Sequence, residues 1–129
     1  MLDISFNRLN KIENLENLIN LEKLFLCSNR LTYIENLSCI CNLTMLELGD
    51  NRIREIVNLD ALVNLTHLYL GKNKITKIQN LDNLTQLQCL SLQNNRLVKI
   101  ENLNNLVNLK ELYLSENGNI YFIMSKINT

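Results

Sequence analysis

The chain has 129 residues, which is enough for one ordinary domain, and 47% of them are hydrophobic, which is enough to fill a core. Thirteen basic residues balance thirteen acidic ones, so the charge expected of a nucleic-acid-binding or membrane-surface protein is missing. The apolar runs are too short for a membrane span, and no basic start precedes an apolar stretch, so we expect an intracellular protein.

A repeat of 22 residues begins at the first residues and continues to Asn117. A short strand is predicted at the start of each repeat, because apolar residues alternate there as Leu24 and Leu26 do. Met1 already lies in such a strand, and the later strands are predicted at residues 23–27, 45–49, 67–71, 89–93 and 111–115. Successive repeats should stack these strands into one parallel sheet.

An asparagine follows each predicted strand in the same register. The chain must turn inward at this point, which places backbone groups in the core, and a buried amide both donates and accepts hydrogen bonds there. We therefore expect a ladder of stacked asparagines, formed by Asn7, Asn29, Asn51, Asn73, Asn95 and Asn117.

Beyond each asparagine the apolar period changes to three residues. In the second repeat the apolar positions are Ile34, Leu37, Ile40 and Leu43. This spacing matches 3₁₀ turns, whose side chains at i and i+3 lie on one face. A second asparagine column is expected to satisfy these outer turns, and it contains Asn14, Asn36, Asn58, Asn80 and Asn102.

The pattern LxxLxLxxNxL, present as LEKLFLCSNRL and LTHLYLGKNKI, resembles the signature of the leucine-rich repeat. The resemblance implies an α/β solenoid, a right-handed superhelix with a parallel concave β-sheet and 3₁₀ turns on its convex side. We assign residues 1–117 to a solenoid of about five and a half repeats. Residues 118–129 form a C-terminal tail that leaves the register at Asn119. The cap expected over the last repeat consists of Ile120, Phe122 and Ile123.

The stretches LNKIENLENLINLEKLFL and ITKIQNLDNLTQLQCLSL are similar to the repeats of the leucine-rich-repeat regulatory subunit of protein phosphatase type 1. The resemblance covers residues 1–117, and because that family has further repeats on both sides, the chain looks like a fragment or a truncated form. It implies a regulatory scaffold of the nucleus and cytoplasm that docks a serine/threonine phosphatase catalytic subunit on its concave face. Axonemal, ciliary and ribonucleoprotein scaffolds share this repeat type and stay open as alternatives, and an extracellular recognition module is a third.

Side chains between the inward leucines must point out of the concave face, at one central position in each repeat. Acidic and aromatic residues alternate over much of this row, and neighbouring strands lie about 4.8 Å apart, so they form a continuous strip. Such a strip suits a protein partner with basic groups and apolar pockets. The central positions are Asp3, Phe25, Glu47, Tyr69, Ser91 and Tyr113. The phosphatase resemblance implies partner contacts at Asp3, Phe25, Glu47 and Tyr69, and the predicted contact set also includes Met45, His67 and Tyr113.

A column of basic residues comes directly after the asparagine ladder. Stacked like charges repel each other, so the column requires either an acidic partner or nearby acids such as Glu13, Glu35 and Glu101, and a solvated edge is the favoured interpretation. The column contains Arg8, Arg30, Arg52, Lys74 and Arg96.

Catalysis is not expected, although His67, Cys89 and Glu111 occupy equivalent positions in adjacent repeats. In a nucleophilic triad the histidine lies between thiol and acid, whereas here the cysteine does. A single histidine and the absence of a CxxC pair argue against a zinc site, and no cofactor is expected. The cysteines Cys27, Cys39, Cys41 and Cys89 fit free thiols. The predicted function is therefore a non-catalytic protein-binding scaffold.

Overall fold

Six short strands are present in the part of the computed structural model that is described, residues 1–118 and residue 120. They form one parallel sheet in chain order, and each residue pairs with the residue 22 positions later, as Leu24 does with Leu46. The strands are β1 (Leu2–Asp3), β2 (Lys23–Phe25), β3 (Met45–Glu47), β4 (His67–Tyr69), β5 (Cys89–Ser91) and β6 (Glu111–Tyr113).

Strands β2 to β6 end two residues earlier than predicted. After β2 the backbone still donates hydrogen bonds to the following repeat, from Leu26 N–H to Glu47 O at 2.8 Å and from Ser28 N–H to Gly49 O at 3.0 Å. The chain then turns inward, with Ser28 at a φ of 54°, so the two-sided pairing of a sheet stops.

The core lies between the sheet and the outer turns. Leu24 and Leu26 are buried on the inner side of the sheet, and the apolar residues of the three-residue period are buried opposite them. The predicted change of period is confirmed: alternation belongs to the strands and the threefold spacing to the turns. In the second repeat the buried turn residues are Leu31, Ile34, Leu37, Ile40 and Leu43.

The outer turns contain hydrogen bonds of the 3₁₀ type. Ile40 N–H donates to Leu37 O at 3.1 Å and Leu43 N–H to Ile40 O at 3.2 Å, and the same pair of bonds recurs in the other complete repeats. Because these bonds occur at every third residue, the chain forms consecutive β-turns rather than a continuous helix. Residues 1–118 contain no α-helix, so the solenoid is confirmed as a β-solenoid and the α part of the α/β class is not found.

The predicted asparagine ladder is confirmed. The Asn51 Nδ2 group donates to Leu26 O and to Leu48 O, both at 3.0 Å, and Asn51 Oδ1 accepts from Leu31 N–H at 3.0 Å. One buried amide therefore joins two repeats. The same arrangement recurs at Asn29, Asn73, Asn95 and Asn117. Asn7 is exposed and donates only within its own repeat, to Ile4 O and Ser5 O.

The second asparagine column is also confirmed. All five members have a φ near +60°, a conformation that asparagine tolerates better than most residues. Four of them donate to the carbonyl 24 residues earlier, as Asn58 Nδ2 does to Ile34 O at 2.8 Å. The predicted departure from register at Asn119 and the capping residues Phe122 and Ile123 lie outside the described residues.

Candidate protein-binding surface

The outer surface of the sheet, here called the sheet face, carries one side chain per strand in a single row. Each inward leucine of β2 to β5 is buried, and the next residue points outward. Paired registers bring the six outward residues side by side. This row, the central column, consists of Asp3, Phe25, Glu47, Tyr69, Ser91 and Tyr113, as predicted.

Exposure differs along the central column. Phe25, Glu47 and Tyr69 are half-buried, and Tyr113 is 49% exposed. Ser91, which was predicted to be exposed, is only 3% exposed. Its short side chain lies between two tyrosine positions, and its hydroxyl is hydrogen-bonded to the Gln93 side chain. The apolar contact area therefore comes from the aromatic residues.

A second row lies beside the central column and contains the other predicted contact residues. Met45 pairs with His67, and both are half-buried. The His67 ring lies 6.2 Å from the Tyr69 ring, centroid to centroid, at an interplanar angle of 30°. A hydrogen bond of 2.9 Å joins His67 Nδ1 to Thr66 Oγ1. The centre of the sheet face thus carries neighbouring thioether, imidazole and phenol groups.

The two acids of the central column differ in electrostatic state. Ser5 N–H donates to Asp3 Oδ1 at 3.0 Å, and this bond lowers the pKa of Asp3. Burial raises the pKa of Glu47, and this effect exceeds the opposing effect of the Gly49 N–H bond to Oε1, at 2.6 Å. A basic group of a partner would favour the ionised form of Glu47 that burial penalises.

Gly49 allows the Glu47 carboxylate to fold back onto its own chain. A Cβ atom at Gly49 would lie 2.7 Å from Glu47 Oε1 and 3.3 Å from Gly71 O. The first distance is shorter than Cβ atoms show in proteins, so a side chain at position 49 would displace the Glu47 carboxylate. Gly49 was not predicted as a residue of the site. The sequence feature that could have indicated it is a glycine two residues after Glu47, the acid in the middle of the central column.

The residues considered for nucleophilic catalysis are brought together as predicted. His67 pairs with Cys89, and Cys89 pairs with Glu111, so the thiol lies between the imidazole and the carboxylate. Cys89 is 3% exposed, and burial together with the charge of Glu111 raises the pKa of its thiol. Glu111 also accepts a hydrogen bond of 2.7 Å from Tyr113 Oη. This environment keeps the thiol protonated, which is the opposite of nucleophile activation.

Other kinds of site have little support in the described residues. No three His, Cys, Asp or Glu side chains within residues 1–118 are grouped so that they could hold a metal ion. None of the described residues belongs to a helix long and apolar enough for a membrane crossing. A groove of about 470 Å³ lies away from the central column, on the turn side, where Tyr33, Glu35, Asp60 and Ala61 line part of it.

The basic column lies along the edge where the strands end. Arg8, Arg30, Arg52 and Arg96 are exposed and Lys74 is half-buried. The acids that were considered as its counter-charges do not pair with it. Within the described part of the chain the single ion pair joins Lys99 to Glu101, at 3.4 Å.

Comparison with known proteins identifies the repeat. The profile for Leucine Rich repeats (2 copies) matches the chain twice, at residues 41–83 and 85–127. No curated protein sequence matches the chain.

Three solved structures have a similar fold. An internalin (InlF) of Listeria monocytogenes is 34% identical with a TM-score of 0.82, over 93% of this chain and 36% of that one. The functional domain of InlJ from the same organism, which includes a cysteine ladder, is 23% identical with a TM-score of 0.80, over 94% and 26%. The leucine-rich repeat ectodomain of the receptor kinase SOBIR1 from Arabidopsis thaliana is 29% identical with a TM-score of 0.66, over 82% and 61%.

The chain spans less than two thirds of each of these proteins, about a third of the internalin InlF. At 23% identity the likeness to InlJ concerns the fold alone. None of the three is described as a phosphatase subunit. The support for a phosphatase partner is therefore the resemblance of the repeat sequences.

Proposed function

Because the chain belongs to the leucine-rich repeat family, we propose that it is a non-catalytic scaffold that binds a partner protein through the central column of its sheet face. The observation that carries this proposal is the registered row Phe25, Glu47 and Tyr69, in which half-buried aromatic rings flank a half-buried carboxylate.

The row has the physical properties of a protein-binding surface. Aromatic side chains supply large contact areas, and a partly desolvated acid between them favours a partner with a basic group at that point. In the free protein the Glu47 carboxylate is held by Gly49 N–H, so it is positioned before a partner arrives. This preorganisation lowers the cost of ordering the side chain on binding.

The partner that we propose is the catalytic subunit of a type 1 serine/threonine phosphatase. We propose that the two proteins bind each other in the nucleus and cytoplasm. The similarity of the repeats to phosphatase regulatory subunits supports it, and Asp3, Phe25, Glu47 and Tyr69 fall on the family's contact positions. Four free cysteines, two of them exposed, support a reducing compartment.

A second candidate is an extracellular recognition module. The likeness to the SOBIR1 ectodomain, at 29% identity, favours it. In that case the central column would bind a different protein, and the exposed thiols of Cys39 and Cys41 would face an oxidising environment.

Binding of the purified phosphatase catalytic subunit to the immobilised chain tests the proposal. We expect Phe25→Ala and Tyr69→Ala each to weaken binding about 30-fold, since each removes an aromatic anchor worth about 2 kcal/mol. Tyr33→Ala is the matched control, because Tyr33 is 47% exposed and lies outside the sheet face.

The outcomes separate the two parts of the proposal. Equal binding by wild type, Phe25→Ala and Tyr69→Ala would exclude the central column as the phosphatase site. No binding by the wild-type chain would refute the phosphatase as partner of this chain.

A further inference from the structure

The zero net charge conceals a separation of charge within each repeat. Nine of the thirteen basic residues fall in the five segments 8–11, 30–33, 52–55, 74–77 and 96–99, here called the basic flank, and Glu55 is the single acid there. The nine are Arg8, Lys11, Arg30, Arg52, Arg54, Lys74, Lys77, Arg96 and Lys99. The other twelve acids lie elsewhere in the repeat, and half of them are on the outer turns: Glu13, Glu16, Glu35, Asp60, Asp82 and Glu101.

Backbone hydrogen bonds hold the basic flank in register. Arg52 N–H donates to Leu31 O, Lys74 N–H to Ile53 O and Arg96 N–H to Ile75 O, each at 2.8 Å. Neighbouring repeats are therefore about 4.8 Å apart at the flank as well as in the sheet. Five repeats give a row of cations about 19 Å long.

Most cations of the row are not neutralised by the protein itself. Eight of the nine basic residues are exposed, and among the described residues the single ion pair is that of Lys99 with Glu101. Asp50, the acid nearest in sequence to Arg52, accepts a hydrogen bond from Ser28 Oγ at 2.8 Å instead. Stacked cations without counter-charges repel each other, and an external anion would relieve that repulsion.

The composition of the flank favours a peptide over a nucleic acid. Single-stranded nucleic acid is bound by aromatic side chains that stack on successive bases, and the five segments contain a single aromatic residue, Tyr33. The outer turns beside the flank carry Glu13, Glu35 and Glu101, which limits the positive surface to a narrow row. An extended chain whose acids line one face matches this shape, because its side chains repeat every two residues on that face.

We propose that the basic flank is a second binding surface, separate from the sheet face, and that it takes an extended acidic segment of a protein, rich in aspartate or glutamate. Arginine side chains there donate paired hydrogen bonds to carboxylates, and the lysines add charge. One scaffold would thus hold an acidic segment at its edge and a basic partner surface on its sheet face.

Fluorescence anisotropy with the full chain tests this proposal. The probe is a labelled peptide of about 12 residues that alternates glutamate and serine, and the control probe replaces glutamate by glutamine. We expect binding of the acidic probe at about 50 mM salt, and a loss of at least about tenfold in affinity at about 300 mM. The glutamine probe should not bind.

Matched variants locate the site. R52Q/R96Q removes two exposed cations of the flank, and K23Q/K110Q removes two exposed cations outside it, so both change the net charge equally. We expect the first variant to weaken binding about tenfold and the second less than twofold. Phe25→Ala should leave this binding unchanged, which separates it from the sheet face.

Three results would overturn the proposal. They are no binding of the acidic probe at low salt, equal losses in the two double variants, and tighter binding of an oligothymidylate of similar length than of the peptide. Unchanged melting temperatures of both variants would show that neither loss reflects unfolding.

Discussion

A single buried amide in each repeat satisfies backbone groups of two repeats at once. The Asn51 side chain supplies a donor to Leu26 O and Leu48 O and an acceptor to Leu31 N–H, and Asn51 is 8% exposed. A hydrocarbon of similar size would leave Leu31 N–H unpaired in the core, whereas Leu26 O and Leu48 O would each lose one hydrogen bond and keep another, from Asn29 and Asn73. The asparagine therefore stabilises the fold through the groups that it satisfies rather than through its own burial.

Asn51→Leu tests this role of the ladder. We expect the free energy of unfolding to fall by about 2 to 3 kcal/mol, since the buried Leu31 N–H loses its partner and two buried carbonyls each lose one hydrogen bond. Urea denaturation measures the change, with Asn105→Leu, at an exposed position, as the control. A loss no larger than that of the control would contradict the ladder argument.

The raised pKa of Glu47 makes the stability of the folded protein depend on pH. Its folded pKa lies above the ordinary value of 4.5, so the folded protein binds more protons than the unfolded chain between the two values. Stability attributable to Glu47 therefore falls as pH rises from about 4.5 through the folded pKa, and then stays constant.

Glu47→Gln should remove this contribution while keeping an oxygen for Gly49 N–H. We expect wild type to lose stability relative to the variant between about pH 4 and pH 7, as measured by urea denaturation at both values. The exposed Glu16→Gln serves as the charge-matched control. A difference between wild type and Glu47→Gln that does not change with pH would refute the assignment.

The elements of this protein are short, and hydrogen bonds between repeats do most of the ordering. Strands of two or three residues would not form alone, and the outer turns contain isolated bonds of the 3₁₀ type. Each turn is joined to the preceding one by an asparagine, as Asn58 is to Ile34 O. An element here is stable because the neighbouring repeat has the same shape.

Substitutions of Asn58 separate two requirements of the turn, the side-chain hydrogen bond and the positive φ. Its φ is 60°, so Asn58→Ala loses the hydrogen bond and also places a Cβ in a disfavoured conformation, whereas Asn58→Gly loses the hydrogen bond alone. We expect losses of about 2 to 3 kcal/mol for alanine and about 1 kcal/mol for glycine in thermal or urea unfolding. An equal or larger loss with glycine would show that backbone strain is not part of the effect.

At the scale of the whole molecule, each repeat of the solenoid packs against its neighbouring repeats alone, so the stack is nearly one-dimensional. β4 pairs with β3 and β5, whereas β1 pairs with β2 alone among the described strands. Burial follows the same trend, because Leu68 in β4 is fully buried while Leu2 and Leu112 are half-buried. Stability in such a stack is a sum of repeat and neighbour terms, so it should be greatest in the middle.

Leu68→Ala and Leu112→Ala compare the middle with the last described repeat. We expect losses of about 4 and about 2 kcal/mol respectively, since the first leaves a closed cavity and the second does not. Amide hydrogen exchange should show the strongest protection in β3 and β4. Equal losses together with uniform protection would contradict the one-dimensional description.

The sequence alone predicted the solenoid, its repeat, the parallel sheet, both asparagine columns and the row of outward residues. These predictions succeeded because a regular repeat makes every local preference recur in the same register, so one repeat interpreted correctly gives all of them. The partner was predicted from resemblance and the cellular location from resemblance and the apolar pattern, and both stay predictions.

Other features were decided by the packing of the repeats against each other. The burial of Ser91 depends on the tyrosines of the adjacent strands, and the positive φ before each ladder asparagine occurs at residues as different as Phe6, Asp50 and Lys72. Lys99 is the single basic-flank residue that pairs with an acid among the described residues, because the register places all the acids except Glu55 outside the flank. Apolar periodicity specifies which side chains face inward, whereas the surroundings of outward side chains depend on neighbours 22 residues away, which only the tertiary structure brings together.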